Sequence, residues 1–275
     1  MWTSLGSSAN FNLAQTLDCG QAFRWKPDEN GVWSGIAYGK KILLCESNGE
    51  ILINGADNND IDKIWRGYFD LERNYAEIIS ALGSNDVLKR AAEYGSGIRI
   101  LRQEPWEALC SFIISQNNNI PRIKGIIERL CENFGEKHGD YYSFPSAERL
   151  AALTPEELSP IRAGFRAKYI IDAAVKVADG YIDLEALKTA PAEEAQKALM
   201  CIKGVGPKVA DCAMLYGLGR IEAFPRDVWI KRALTELFSG ELPQCALPYA
   251  GIAQQYIFYY IRNKDRLTIV EPRTP

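Results

Sequence analysis

From about Pro105 onward, nearly every segment of this 275-residue chain repeats its apolar residues at the period of a helix; before that point most of it does not. PWEALCSFIISQ reads as an apolar helix, stopped by the polar run NNN and restarted at Pro121 in PRIKGIIERLCENFG. SAERLAALTPEELSP, RAKYIIDAAVKVADG, PAEEAQKALMCIKG, RDVWIKRALTELF and YAGIAQQYIFYYIRN continue the pattern. The first hundred residues are of another kind. FRWKPDENGVWSGIAYGKKILLCESNGEILING sets aromatic and branched residues between the turn signals DENG, YGKK and SNGE, the pattern of an antiparallel meander. Helical periodicity then takes over in NNDIDKIWRGYFDLERNYAEIISAL and NDVLKRAAEYG. The expected class is α+β: an N-terminal antiparallel β-sheet domain with helices over 1–100, followed by an all-α core over 101–275. TIVEPRTP at the end is expected to be a frayed tail.

Composition narrows the chemistry. No run of about 18 apolar residues occurs, and the N-terminus has no basic region followed by an apolar one, so a soluble intracellular protein without membrane contact is expected. Seven cysteines, odd in number and without a C-x-x-C pair, suit reduced thiols better than disulfides, zinc or an iron–sulfur cluster. The single histidine, His138 in EKHGDYY, excludes a His-rich metal site and reads as a surface loop residue. A net charge of −3 argues against indiscriminate polyanion binding. Residues 200–232 nevertheless carry Lys203, Lys208, Arg220, Arg226, Lys231 and Arg232 against Asp211, Glu222 and Asp227, which allows a local basic surface.

KGVGPKVADC lies in that stretch. It is not a P-loop, because one residue separates its glycines and Val209 follows the lysine, and a dinucleotide fingerprint would need a glycine at Val209 and a strand before it. What remains is helix, glycine hairpin, helix over about 195–218. The N–H groups of Gly204, Val205 and Gly206 would face a phosphate oxygen of a nucleic-acid backbone. Pro207 suits the first helical position and puts Lys208 in the first turn, where the helix dipole disfavours a cation. Neutralising a free lysine, of pKa about 10.4, costs roughly 4.6 kcal/mol at pH 7. Burial and a helix N-terminus both lower that cost, which suits an amine nucleophile in Schiff-base chemistry. A solvated lysine that touches phosphate is the alternative on local sequence alone. Cys212 shares a helix face with Lys208. Asp227 reads as the N-cap of VWIKRALTELF, either a cap alone or a fixed carboxylate able to steady a developing sugar cation.

With SQNNNIPR (115–122), AGFRAKY (163–169), CGQAFRW (19–25) and AQQYIF (253–258), these motifs resemble the 8-oxoguanine DNA glycosylase family of the helix-hairpin-helix DNA glycosylase superfamily. The resemblance spans almost the whole chain. It implies a bifunctional DNA glycosylase/AP lyase acting on 8-oxoguanine opposite cytosine in double-stranded DNA, as a monomer and with no required cofactor. Lys208 would attack the sugar C1′ and Asp227 would assist. Gly20, Cys212, Gln254 and Phe258 would recognise the flipped base, the Gly20 carbonyl accepting the N7–H that guanine lacks. Asn117, Arg122 and Arg166 would fill the gap and read the orphaned cytosine, with Phe165 as the wedge. The carbonyls of Met200, Ile202 and Val205 would be the ligands of any hairpin cation on DNA binding. Phe165 stands where tyrosine is frequent, and Trp229 where a histidine is. Two other readings share these features in part: an alkylpurine glycosylase of the same fold, which needs no lysine nucleophile, and a non-catalytic helix-hairpin-helix binding module.

Overall fold

The computed structural model describes residues 1–267; the expected tail at 268–275 lies outside the described residues. Five strands form one antiparallel sheet in the order β1-β5-β4-β3-β2. They are β1 (Thr3–Ser7), β2 (Trp25–Pro27), β3 (Trp33–Ala37), β4 (Lys40–Ser47) and β5 (Glu50–Asn54). The expected meander accounts for β2 to β5. β1 had no signal in the sequence; it joins β5 through a bulge at Leu5, between Ser4 and Gly6. Alternation fixes the register: Trp33 faces Leu44 and Leu44 faces Ile53, all buried on one side. Gly35 is required here, because a Cβ at that position would lie 2.1 Å from the Trp25 ring.

That buried face is closed by α1 (Leu13–Leu17) and by a helical stretch made of α2 (Asn58–Asp60), a π-turn (Ile61–Trp65) and α3 (Arg66–Tyr68). Trp25, Trp65, Tyr68 and Phe69 pack as an aromatic cluster, and the Trp25 indole N–H donates to the Tyr68 hydroxyl at 2.9 Å.

A second core begins with α4 (Tyr75–Leu82) and α5 (Asp86–Tyr94) and takes in the helices that follow. They are α6 (Pro105–Ser115), α7 (Ile120–Phe134), α8 (Ala147–Ala151), α9 (Ala167–Ala178), α10 (Ala192–Met200), α11 (Pro207–Tyr216), α12 (Val228–Leu237) and α13 (Ala250–Leu267). A short hairpin, β6 (Lys137–His138) and β7 (Tyr141–Tyr142), carries the exposed His138. α6 is the axis: every residue from Pro105 to Ile114 is buried, and α11 lies along it. Cys19 and Phe23, from the loop before β2, sit in this helical core rather than under the sheet. Among the described residues no helix is long and apolar enough to cross a membrane.

One buried ion pair joins the halves. Glu107 on α6, 9 % exposed, faces the Arg24 guanidinium at 3.5 Å, while Arg24 also donates to the Tyr142 carbonyl. Burial pushes the Glu107 carboxyl up to about 7, with Arg24 opposing and Glu104 adding to the rise. Its folded value therefore lies above its unfolded one, and the folded protein binds a proton that the unfolded chain releases. Stability should fall as pH rises from about 4.5 to about 7, by at most about 3 kcal/mol from this group. Urea unfolding of Glu107→Gln across that window is expected to show a flatter profile than the native protein.

Candidate active site

One small cavity is lined by Gly20, Phe112, Lys208, Cys212, Tyr216, Pro225, Asp227, Gln254, Gln255 and Phe258. It gathers both residues expected to be catalytic and all four expected to recognise a base. Four separate parts of the chain build it: the loop after α1, α6, the α11–α12 segment, and α13.

α11 supplies one wall. Gly204, at φ +79°, turns the chain after α10, and Gly206 precedes Pro207, which opens α11 at its first position. Lys208 is next, inside the first turn and partly buried, with Nζ 5.6 Å from the centre of the Phe112 ring. Cys212 and Tyr216 follow at intervals of four and share its face. Burial pushes the Cys212 thiol up to about 11, although the neighbouring Lys208 ammonium draws it down. The thiol is therefore uncharged at neutral pH. Asp227 caps α12, its Oδ1 accepting the Ile230 N–H at 2.8 Å, as its sequence position implied.

Gly20 closes the opposite side at φ +92°, where a Cβ would come within 3.8 Å of Phe258 and 3.5 Å of Ile120. Its position is set by hydrogen bonds that the sequence did not reveal. The Gln255 amide donates to the Cys19 carbonyl at 3.3 Å, and the Tyr216 hydroxyl donates to Gln255 Oε1 at 2.5 Å. Gln103 closes the circuit, its N–H donating to the Tyr216 carbonyl at 2.8 Å and its side-chain amide to the Gln21 carbonyl at 2.7 Å. The Gln21 side chain bonds the Thr16 and Arg99 carbonyls and the Leu101 N–H. Both residues flanking Gly20 are thus held. Tyr216 was findable from its spacing, eight beyond Lys208; Gln21, Gln103 and Gln255 had no local signal.

The cavity volume is about 50 Å³. Roughly 10–15 Å³ of such space admits one water, so the cavity holds a few waters and is smaller than a purine. Phe258 is the half-buried wall, with the Arg262 guanidinium 5.1 Å from its ring centre. Beyond it lies a groove of about 680 Å³ that shares Phe258 and is also lined by Ile120 and Arg262.

The residues expected to contact the opposite strand lie elsewhere, on two turns that meet. Asn117 is exposed, in the left-handed region at φ +47°, at the break between α6 and α7; Asn119 then caps α7. Phe165 is 47 % exposed at the foot of α9, and Arg122 is exposed. Arg166 differs: only 2 % of its surface is exposed, and its guanidinium points inward. Nε and Nη2 both donate to the Gln116 carbonyl, Nη2 also to Asn117 O at 2.9 Å, and Nη1 to Ala163 O at 3.1 Å. Four of its five N–H donors are thus spent, three on fixing the Asn117 turn and one on the Ala163 carbonyl of its own turn. Phe165 lies against the other face of the same guanidinium, 4.4 Å from ring centre to Cζ.

Known proteins match this arrangement. The N-terminal domain of 8-oxoguanine DNA glycosylase matches residues 5–109, and the HhH-GPD superfamily base excision DNA repair protein matches residues 110–243. The solved structure of MBOgg1 with a low-affinity DNA ligand has a TM-score of 0.88 at 44% identity, over 94% of each chain. The Clostridium acetobutylicum 8-oxoguanine glycosylase/lyase, bound to double-stranded DNA with cytosine opposite 8-oxoG, gives 0.87 at 38%, over 94% of this chain and 93% of that one. The N-glycosylase/DNA lyase of Saccharomyces cerevisiae is 35% identical over 249 residues, 80% of this chain and 66% of its own length. Fold and site thus define the class as a helix-hairpin-helix enzyme of base excision DNA repair. Within that class, the chain belongs to the 8-oxoguanine DNA glycosylase family.

The inward guanidinium separates two arginines that the sequence treats alike. Arg166→Ala should cost about 2–3 kcal/mol, since it strips hydrogen bonds to a charged donor from three carbonyls. Arg122→Ala, on the surface, should stay within about 0.5 kcal/mol of native. Chemical denaturation of the two variants reads the difference, and equal losses would contradict it.

Proposed function

We propose that this chain excises 8-oxoguanine paired with cytosine and then cleaves the strand at the resulting site. The observation that carries the reading is the shared cavity: a first-turn lysine and a fixed carboxylate at one end, base-recognition groups on the rest of its wall. A damaged base must leave the stack before its glycosidic carbon can be reached, so the pocket receives a flipped nucleotide. Phe258 yields to admit it, which the adjoining groove permits. The base then lies between Phe258 and the uncharged Cys212 thiol, with Gln254 at its pairing edge and the Gly20 carbonyl accepting N7–H.

Lys208, as the neutral amine, attacks C1′. The C1′–N9 bond breaks, its electron pair leaves with the base, and a proton follows to the base. Asp227 faces the positive charge that develops on the sugar and is held for that task by capping α12. Loss of the ring oxygen from C1′ gives the Schiff base, whose electron-withdrawing C=N⁺ acidifies the C2′ hydrogens and allows β-elimination of the 3′ phosphate. Asn117, Phe165 and Arg122 occupy the vacated space, with Arg122 as the free donor for the orphaned cytosine. The Clostridium acetobutylicum relative, whose complex carries that pairing, supports the opposite base.

Borohydride trapping on a duplex with one 8-oxoguanine opposite cytosine tests the chemistry. A covalent complex is expected from the native protein and none from Lys208→Gln, which should still bind the duplex. Base release by the native protein without trapping would point to water as the nucleophile. A second variant tests recognition. Tyr216→Phe keeps the ring stacked on Phe112 but removes the hydroxyl that faces both Gln254 Oε1 and Gln255 Oε1, and through Gln255 the Cys19–Gly20 peptide. Release of 8-oxoguanine should fall about tenfold, the worth of one buried hydrogen bond of roughly 1–1.5 kcal/mol. Cleavage at a preformed abasic site, which bypasses base recognition, should be unchanged.

A further inference from the structure

α9 touches the hairpin with three side chains along one face. The Tyr169 ring lies on Gly204 so closely that a Cβ there would come within 2.4 Å of it. One turn on, the Asp172 carboxylate accepts the Lys203 N–H at 2.7 Å. A further turn on, Lys176 Nζ donates both to Asp172 at 2.6 Å and to the Cys201 carbonyl at 2.9 Å. Burial raises the Asp172 carboxyl, but its hydrogen bonds from Lys176 and Lys203 outweigh that and leave it below the usual carboxylate range. Both sides of the turn, a carbonyl before the glycines and an N–H beside them, are thus held from behind.

This bears on the cation that the superfamily resemblance implies at the hairpin. Hard cations take oxygen ligands such as backbone carbonyls. Of the three expected here, the Ile202 carbonyl already accepts the Val205 N–H at 3.0 Å within the turn, so Val205, expected to offer its N–H to phosphate, has spent it on the turn itself. The Cys201 carbonyl, which lies between two of the expected ligands and is not one of them, accepts from the Lys176 ammonium. Asp172 offsets one charge, but Lys203 adds a second beside it, so a further positive charge there would be repelled. The hairpin therefore fits an added cation poorly, and it already has one of its own.

We propose that Asp172 and Lys176 are positioning residues for DNA binding: they hold the Gly204 and Gly206 donors in their phosphate-binding shape, the Lys176 ammonium taking the place of a bound metal ion. This rests on the hairpin meeting DNA, as the proposed function requires. Nothing in it involves the chemistry at Lys208.

The test measures binding to a duplex containing a tetrahydrofuran abasic analogue, which the enzyme cannot cleave. Anisotropy titrations at one ionic strength compare potassium with tetramethylammonium, a cation too large for a carbonyl cage. Native protein is expected to bind within twofold in the two salts, and Lys176→Arg likewise. Lys176→Met should bind about tenfold more weakly in tetramethylammonium and recover most of the loss in potassium. Lys176→Gln, which keeps a neutral donor, reads the charge alone and should behave like Lys176→Met. The proposal is overturned if native protein weakens in tetramethylammonium as much as the variants do. Variants that match native protein in both salts would overturn it equally. Native protein that binds in neither salt would sink the functional reading, and this inference with it.

Discussion

Buried amides fix this site more than any single catalytic group does. Gln21, Gln103 and Gln255 are each nearly inaccessible, and a buried amide without partners costs several kcal/mol. Each finds its partners in backbone that matters: the carbonyls of Cys19 and Gln21 on either side of Gly20, and the carbonyl of Tyr216 at the end of the lysine helix. The circuit joins the loop before the sheet to α11 and α13. A glycine in a surface-derived loop and a lysine nearly two hundred residues away thereby share one rigid frame. A half-satisfied version would be worse than an apolar core, so the ring has to be built whole.

The lysine helix shows how a local sequence can dictate chemistry. Glycine, proline and cap geometry set the start of α11, and the four-residue spacing then aligns Lys208, Cys212 and Tyr216 without help from tertiary contacts. Packing adds the rest. Phe112, from the buried axis helix, stacks on Tyr216 and also lies under the Lys208 Nζ, so the lysine head rests on an aromatic face.

What could be read from the chain follows the same division. The meander, the helical run from Pro105, the asparagine break and the Asp227 cap rest on short-range rules of turns, periods and capping, and each has its counterpart in the structure. β1 escaped because TSLGS lacks alternation and becomes a strand only when β5 offers its edge. The glutamine circuit escaped because its members are scattered over more than two hundred positions. Arg166 is the instructive case. Its sequence neighbourhood is that of an exposed DNA contact, yet the carbonyls left open by the break at Asn117 draw its guanidinium inward. Long-range partners, not local pattern, decided each of these.

The small size of the cavity has a further meaning for selectivity. If only a fraction of molecules holds Phe258 aside at any moment, the apparent affinity for every base is reduced by that same fraction. An equal handicap does not by itself favour one base over another. A ring that had to be held open by contacts would, however, shorten the stay of bases that gain little once inside. The hydrogen bond proposed to Gly20 would then act on residence time as well as on equilibrium. A modest difference in binding is read twice, as the door is held and again as the bond is cut.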